Sequence, residues 1–141
     1  MTKKELIEKI KCGEGRGSDL RDSDLRGSDL RDSHLSCSNL SCSDLRDSDL
    51  RYAKYSIPIF LHSINWGILP DRLTLELMRH DALLVGTKAM TAWAKGGDCP
   101  FQKTVRGFYF QEKTELWKPG KPKMNEMELW IALCEEKKIK I

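Results

Sequence analysis

The residues whose side chains could support catalysis are His80, Asp81 and Cys99. A cysteine and a histidine that meet in a fold can serve as a nucleophile and its base, and such pairs need not be adjacent in sequence. Cys99 precedes Pro100 in a predicted turn, however, and His80 lies inside a predicted amphipathic helix. We therefore interpret His80 as an interfacial helix residue and expect no enzyme, with the Cys/His pair as the alternative.

Two other motifs do not indicate phosphate chemistry. Arg79-His80-Asp81 has the letters of a kinase catalytic loop, but the downstream Asn, a glycine-rich loop and a paired Lys are missing. Gly96-Gly97 follows a predicted helix, whereas a phosphate-binding loop opens one. We expect no kinase and no nucleotide site.

The cysteines and histidines do not predict a metal site. Five cysteines and three histidines contain neither a CxxC nor an HxxxH spacing. A site assembled from His80, Cys99 and Cys134 is the alternative, and we expect no metal and no cofactor.

An odd number of cysteines and an N-terminus without an apolar run favour the reducing cytoplasm. No apolar run approaches the roughly 20 residues of a membrane helix, so we expect no membrane contact.

Charge is spread evenly along the 141 residues. The formal net charge of +3 divides into +1 for residues 1–15, −1 for 16–55 and +3 for 56–141. No segment is basic enough to bind nucleic acid by charge alone.

One segment, residues 103–123, interleaves cations with aromatic side chains, a pattern that single-stranded nucleic acid can use. We interpret this segment as a solvated hairpin that lies on a core, and we keep direct nucleic-acid binding as an alternative. The side chains concerned are Lys103, Arg106, Phe108, Tyr109, Phe110, Lys113, Trp117, Lys118, Lys121 and Lys123.

Residues 16–55 consist of eight consecutive five-residue units, RGSDL, RDSDL, RGSDL, RDSHL, SCSNL, SCSDL, RDSDL and RYAKY. Neither a helix of period 3.6 nor a strand of period 2 gathers side chains spaced by five on one face. A chain that turns a corner every five residues does. The large inward residues are then Leu20, Leu25, Leu30, Leu35, Leu40, Leu45, Leu50 and Tyr55.

These units resemble the pentapeptide-repeat family, with Ser in place of the family's Ala in seven of eight units. The resemblance implies a right-handed quadrilateral β-helix of about two coils, in which residues twenty apart stack. We thus expect a mainly β repeat at residues 16–60. An N-terminal capping helix within residues 1–15 and a small α+β C-terminal lobe at 61–141 flank it. Thr2 and Glu5 form a capping box for the first helix, and Gly13 is placed to end it.

Stacking by twenty also predicts rows of opposite charge on the outside of the coil. The simpler interpretation is a solvated surface of weak ion pairs, and the alternative is a patterned docking face. This candidate interaction surface comprises Asp24, Arg26, Asp29, Arg31, Asp44, Arg46, Asp49 and Arg51.

Beyond Tyr55 the pattern predicts a coil-like stretch at residues 56–60 with a bend at Pro58, and then mostly helices. Helices are expected over 71–84, over 87–95 and from Asn125 and Glu128 onward, with two strands or a hairpin between 105 and 117. The first of these helices should be buried on two sides, and the last should bury Met127, Trp130, Ile131 and Cys134.

This C-terminal half is similar to the tails of pentapeptide-repeat proteins from bacteriophages and prophages. We therefore expect a non-enzymatic protein-interaction module, a phage-type inhibitor or adaptor of a host protein complex in the bacterial cytoplasm. The resemblance also allows mimicry of duplex DNA toward a topoisomerase or another DNA-handling enzyme. Such mimicry requires an acidic rod, whereas this coil is short and near neutral.

Overall fold

The computed structural model describes residues 2–9, 23–35, 43–98 and 113–141. Its contacts divide the chain into two compact units, one of residues 1–66 with 130–141 and one of residues 67–129. The helices are α1 (Lys3–Lys9), α2 (Ile57–Ser63), α3 (Asp71–Val85), α4 (Thr87–Ala94), a 3₁₀ helix (Thr114–Leu116) and α5 (Glu126–Glu136).

The expected fold class, a mainly β quadrilateral β-helix with an α+β lobe, is wrong. The part of the chain that the structure describes is mostly helical and contains no strand or sheet. Its strand-like pairing is limited to isolated parallel bridges, each one residue long. The physical reason is the five-residue period, which turns the chain before a second consecutive residue can pair.

In the first unit, residues 23–35 form a first layer and residues 43–55 a second layer of stacked repeats. Parallel bridges join Asp24 to Asp44, Asp29 to Asp49 and His34 to Lys54, always twenty residues apart. Backbone amides of Leu25 and Leu30 donate to the carbonyl oxygens of Asp44 and Asp49 at 2.9 Å. The two layers are therefore tied together by a regular backbone ladder.

The repeat leucines fill the space inside the layers. Leu25, Leu30, Leu35, Leu45 and Leu50 are each at most 1% exposed. The last member of the stack, Tyr55, is half-buried, and Leu20 and Leu40 lie outside the described residues. The column is thus dry wherever the structure describes its leucines.

A tight turn follows each leucine. The amide of the serine or alanine three residues later donates back to the leucine carbonyl at 3.0–3.2 Å. The third residue of each turn has positive φ, where type II turns require it. These residues are Gly27 (67°), Asp32 (61°), Asp47 (62°) and Tyr52 (62°). The backbone demand explains why Gly and Asp recur at this position, since they tolerate the left-handed region best.

A third layer lies on the second and comes from later parts of the chain. Lys140 forms a parallel bridge with Asp49, donates its amide to Ser48 and accepts the amide of Leu50 at 2.7 Å. Lys138 has φ 57°, as the corner residues of the repeats do. Residues 137–141 therefore reproduce one repeat unit, although their sequence, Lys-Lys-Ile-Lys-Ile, does not match the repeat.

An aromatic cluster lies at the end of the leucine column. The ring centroids of Tyr55 and Phe60 are 5.0 Å apart, and Trp130 lies 5.4 Å from Tyr55 and 5.6 Å from Trp66. Phe60 comes from α2, so the coil-like stretch predicted at residues 56–60 is wrong. Pro58 occupies the first turn of this helix, where proline is tolerated because the amide has no intrahelical partner.

In the second unit, α3 buries Leu73, Leu77, Met78 and Ala82. These residues belong to both predicted apolar lines, so the helix is buried on two sides as expected, except at its C-terminal end, where Leu84 is 69% exposed. Residues 113–117 form a turn and the 3₁₀ helix, so the predicted hairpin is wrong there. The remainder of that segment, residues 105–112, is outside the described residues.

The predicted capping boxes are found in whole or in part. At α5, Glu128 donates its amide to Asn125 Oδ1 at 2.8 Å, and Glu128 Oε1 accepts the Asn125 amide at 3.1 Å. At α1, the Glu5 amide donates to Thr2 Oγ1 at 3.1 Å, while Gly13 lies outside the described residues.

The buried face of α5 differs from the prediction. Trp130 and Cys134 are buried as expected, but Met127 is 51% and Ile131 41% exposed. Leu129 and Leu133 are buried in their place.

We predict that deleting residues 138–141 lowers the free energy of unfolding by about 2–4 kcal/mol. The deletion removes two hydrogen bonds to the second layer and the burial of Ile139. Thermal and urea melts measure the loss, and hydrogen exchange should speed up at the Leu50 amide. The matched variant Lys140→Ala keeps the backbone and should melt like the parent; equal melts for parent and deletion would contradict the third layer.

Candidate interaction surface

Four inward leucines, Leu25, Leu30, Leu45 and Leu50, are flanked by an aspartate and an arginine, and these point outward together because side chains alternate along the extended stretch. Each Asp carboxylate accepts both the backbone amide and the guanidinium of the Arg two residues later. In the unit of Asp49 and Arg51, the Nη2–Oδ2 distance is 2.7 Å and the Nε–Oδ1 distance is 3.0 Å. The same set of hydrogen bonds, here called the clamp, is found for Asp24 with Arg26, Asp29 with Arg31, and Asp44 with Arg46.

The layers are also linked by charge. Arg26 Nε lies 3.9 Å from Asp44 Oδ2, and Arg31 Nε lies 3.8 Å from Asp49 Oδ2. Each second-layer aspartate thus faces two guanidinium groups. Its side chain is 15–16% exposed, against 45–54% for Asp24 and Asp29 in the first layer.

These contacts shift the acidity of the second-layer carboxylates. The hydrogen bond from the Arg51 guanidinium lowers the pKa of Asp49 to about 2, with Arg31 adding a smaller coulombic effect. Burial alone would raise the pKa of Asp44, but hydrogen bonds from Arg46 outweigh it and the pKa is lowered. Both groups therefore stay ionised across the physiological range.

The eight predicted surface residues thus form two sets of clamped charges, here called the ion-pair rows. Four carboxylates and four guanidinium groups give the rows no net charge. Bidentate geometry fixes each side chain, so the charge pattern is present before any partner arrives. Such a neutral, regularly patterned surface differs from the uniformly acidic surface of duplex DNA.

Tyr52 adjoins the ion-pair rows and was not identified from the sequence. It is 82% exposed and has φ 62°, a conformation that is rare for a bulky side chain. An exposed aromatic side chain is a common anchor in protein interfaces. The signal was present in the last unit, where Tyr replaces the Gly, Asp or Cys found at this position of the other units.

The residues considered for catalysis or metal binding have structural roles where the structure describes them. Buried His80 donates from Nε2 to the Met124 carbonyl at 2.8 Å. Burial raises the pKa of the Cys134 thiol to about 12, which makes it a poor nucleophile. Cys99 lies outside the described residues.

The described residues contain no group of three or more His, Cys, Asp or Glu side chains placed to hold a metal ion. Among the same residues, no helix is long and apolar enough to cross a membrane.

The basic and aromatic segment 103–123 is described only from Lys113 onward. Trp117 in this part is 8% exposed, and its Nε1 donates to Thr91 Oγ1 at 3.1 Å. Its ring is therefore packed inside the second unit and does not offer a stacking platform for a base.

Comparison with known proteins identifies the repeats. Residues 16–51 match the family of pentapeptide repeats as eight copies. Repeats of this family often mediate protein interactions and are generally non-enzymatic. No curated protein and no solved structure matches the chain.

We predict that Asp49 titrates at about 2 and that Arg51→Gln moves its pKa up toward the ordinary value of 3.8. Because the folded pKa is depressed, its stabilising contribution is present above pH 3.8 and is lost as the pH falls through about 2. Carboxyl carbon shifts in an NMR titration measure both values. Arg26→Gln, which removes a guanidinium that contacts Asp44 and not Asp49, should leave the Asp49 titration unchanged; an ordinary Asp49 pKa in the parent would contradict the clamp.

We also predict that Tyr52→Asn raises the free energy of unfolding by about 1 kcal/mol, because Asn tolerates positive φ and the exposed ring buries little. Tyr52→Val, a β-branched residue in the same conformation, should lower it. Urea melts of the two variants test the strain, and a loss of stability in Tyr52→Asn would show that the ring contributes more than its backbone costs.

Proposed function

We propose that this chain is a non-enzymatic protein-interaction module and that the ion-pair rows with Tyr52 form its docking surface. The observation that carries the proposal is the bidentate clamping of eight charges at fixed spacing on a regular backbone. A fixed pattern loses little side-chain entropy on binding and discriminates against partners with the wrong pattern.

Tyr52 supports the same proposal by an independent argument. Every repeat corner requires positive φ, but placing a bulky tyrosine there brings no benefit within the first unit that the structure shows, since the ring is mostly exposed. Strained residues are concentrated at functional sites. An anchor ring beside a polar, patterned surface also matches the usual composition of an interface centre and rim.

We further propose that the partner is a host protein complex and that the chain acts on it as an inhibitor or adaptor of bacteriophage origin in the bacterial cytoplasm. This part rests on the similarity of the C-terminal half to tails of phage pentapeptide-repeat proteins. Complexes that handle nucleic acid are included among the targets. The alternative of topoisomerase binding by DNA mimicry is disfavoured by the neutral rows.

The test is a pair of charge swaps that keep every ion pair but invert the pattern. Asp29→Arg with Arg31→Asp, combined with Asp49→Arg and Arg51→Asp, removes two hydrogen bonds from backbone amides to carboxylates, so the melting temperature should fall modestly while the circular dichroism spectrum stays that of the parent. Partner recovered from bacterial lysate on the immobilised chain should fall at least tenfold. The swap Lys88→Glu with Glu115→Lys, between exposed residues of the second unit, should leave recovery unchanged.

Unchanged recovery with the inverted rows would refute the docking surface. Recovery of gyrase would favour the mimicry alternative. Direct binding of the isolated chain to single-stranded DNA or RNA, with a steep salt dependence, would instead favour nucleic-acid binding through residues 103–123.

A further inference from the structure

The second unit contains a groove of about 270 Å³. It shares no residue with the ion-pair rows. One wall is a single face of α3, where Arg72, Leu75, Glu76 and Arg79 recur at helical spacing. Lys123 and Met124 form the opposite wall. This volume is just below the usual range for ligand pockets and fits one or two side chains better than a large cofactor.

A set of hydrogen bonds from α3 to residues 118–124, here called the latch, forms this groove. The Glu76 carboxylate, 4% exposed, accepts the amides of Lys123 and Met124 at 3.0 and 2.6 Å. His80 binds the Met124 carbonyl from the same face of α3, and Arg79 Nε donates to the Lys118 carbonyl at 3.2 Å. Residues 118–124 are therefore held against the helix, and the groove is a formed feature of the fold.

The latch also determines the chemistry of the groove. Glu76 spends both carboxylate oxygens on backbone amides, so its negative charge lies underneath the surface. The side chains left to line the groove are apolar at Leu75 and Met124 and cationic at Arg72, Arg79 and Lys123. Among the described residues, no ion pair joins any of these three cations to a carboxylate.

We propose that this groove binds an acidic peptide segment of a protein partner, with one apolar side chain of the peptide between Leu75 and Met124 and flanking carboxylates at Arg72, Arg79 and Lys123. Charge complementarity selects this occupant, because Arg72, Arg79 and Lys123 line the same groove as two apolar side chains and none of the three is paired with a carboxylate among the described residues. Arginine side chains bind carboxylates in the bidentate geometry that such a peptide offers. The site is separate from the ion-pair rows, and its binding does not depend on them.

The probe is a fluorescein-labelled, end-blocked peptide of sequence Asp-Glu-Leu-Asp-Glu, measured by fluorescence anisotropy with the full chain at low and physiological salt. We expect saturable binding that weakens with salt. Two matched peptides separate the contributions: Asp-Glu-Ser-Asp-Glu removes the apolar side chain, and Asn-Gln-Leu-Asn-Gln removes the charge. Each should bind at least tenfold more weakly.

The matched protein variants are Arg72→Glu with Lys123→Glu, both exposed positions, and Lys88→Glu as a control on α4. The double variant should lose at least tenfold in affinity with an unchanged circular dichroism melt, and the control should stay within about twofold of the parent. A double variant that melts early would be replaced by the single Arg72→Gln, for which a threefold loss is expected.

Several results would overturn the proposal. No binding of the acidic leucine peptide up to millimolar concentration would do so, as would equal binding of the serine peptide, which would reduce the groove to a plain cationic patch. Tighter binding of a single-stranded oligonucleotide with the same dependence on Arg72 and Lys123 would assign the groove to nucleic acid. Unchanged partner recovery with the inverted ion-pair rows would refute the docking surface, whereas absence of peptide binding would refute only the groove, so the two proposals fail separately.

Discussion

The structure of the first unit depends on a single constraint: every five residues, one leucine must point inward and one residue must adopt positive φ at the corner. Backbone hydrogen bonds between layers twenty residues apart follow from this five-residue period, since equal units place equivalent amides and carbonyls above one another. The same constraint puts the two neighbours of each leucine on the outside, and where these are Asp and Arg, as around Leu25, Leu30, Leu45 and Leu50, a carboxylate and a guanidinium can bridge the separation. The charged pattern of the surface is therefore a by-product of how the interior is filled.

The two candidate surfaces use charge in opposite ways. In the ion-pair rows each guanidinium is already bound to a carboxylate, so a partner gains selectivity from the pattern more than affinity from any one pair. In the groove of the second unit, Glu76 accepts two backbone amides, and the three cations that line the groove with it form no ion pair among the described residues. In our proposals, the first surface is recognised by its shape and charge pattern, and the second binds a short charged sequence.

The sequence predicted local features well and non-local ones poorly. The leucine spacing, the pairing of Asp24 with Asp44 and the capping box at Asn125 depend on residues whose relation is written in the repeat or in three neighbours. The mainly β class failed because a repeat that bends so often pairs without forming strands. The face of α5 failed because Met127, Leu129, Ile131 and Leu133 offer two apolar stripes, and only the packing partner chooses between them. Groove-forming Glu76 was missed because its partners, the amides of Lys123 and Met124, carry no sequence signal.

The bridge between Asp49 and Lys140 has a consequence for biosynthesis. A ribosome makes the repeats early, but the backbone that covers their upper edge leaves the exit tunnel only after the whole second unit has emerged. Until then the amide of Leu50 and the carbonyl of Ser48 are open to hydrogen bonds with water or with another extended chain segment. The nascent chain is thus exposed to mispairing during that interval, and the rate of closing so long a loop sets how quickly the first unit matures.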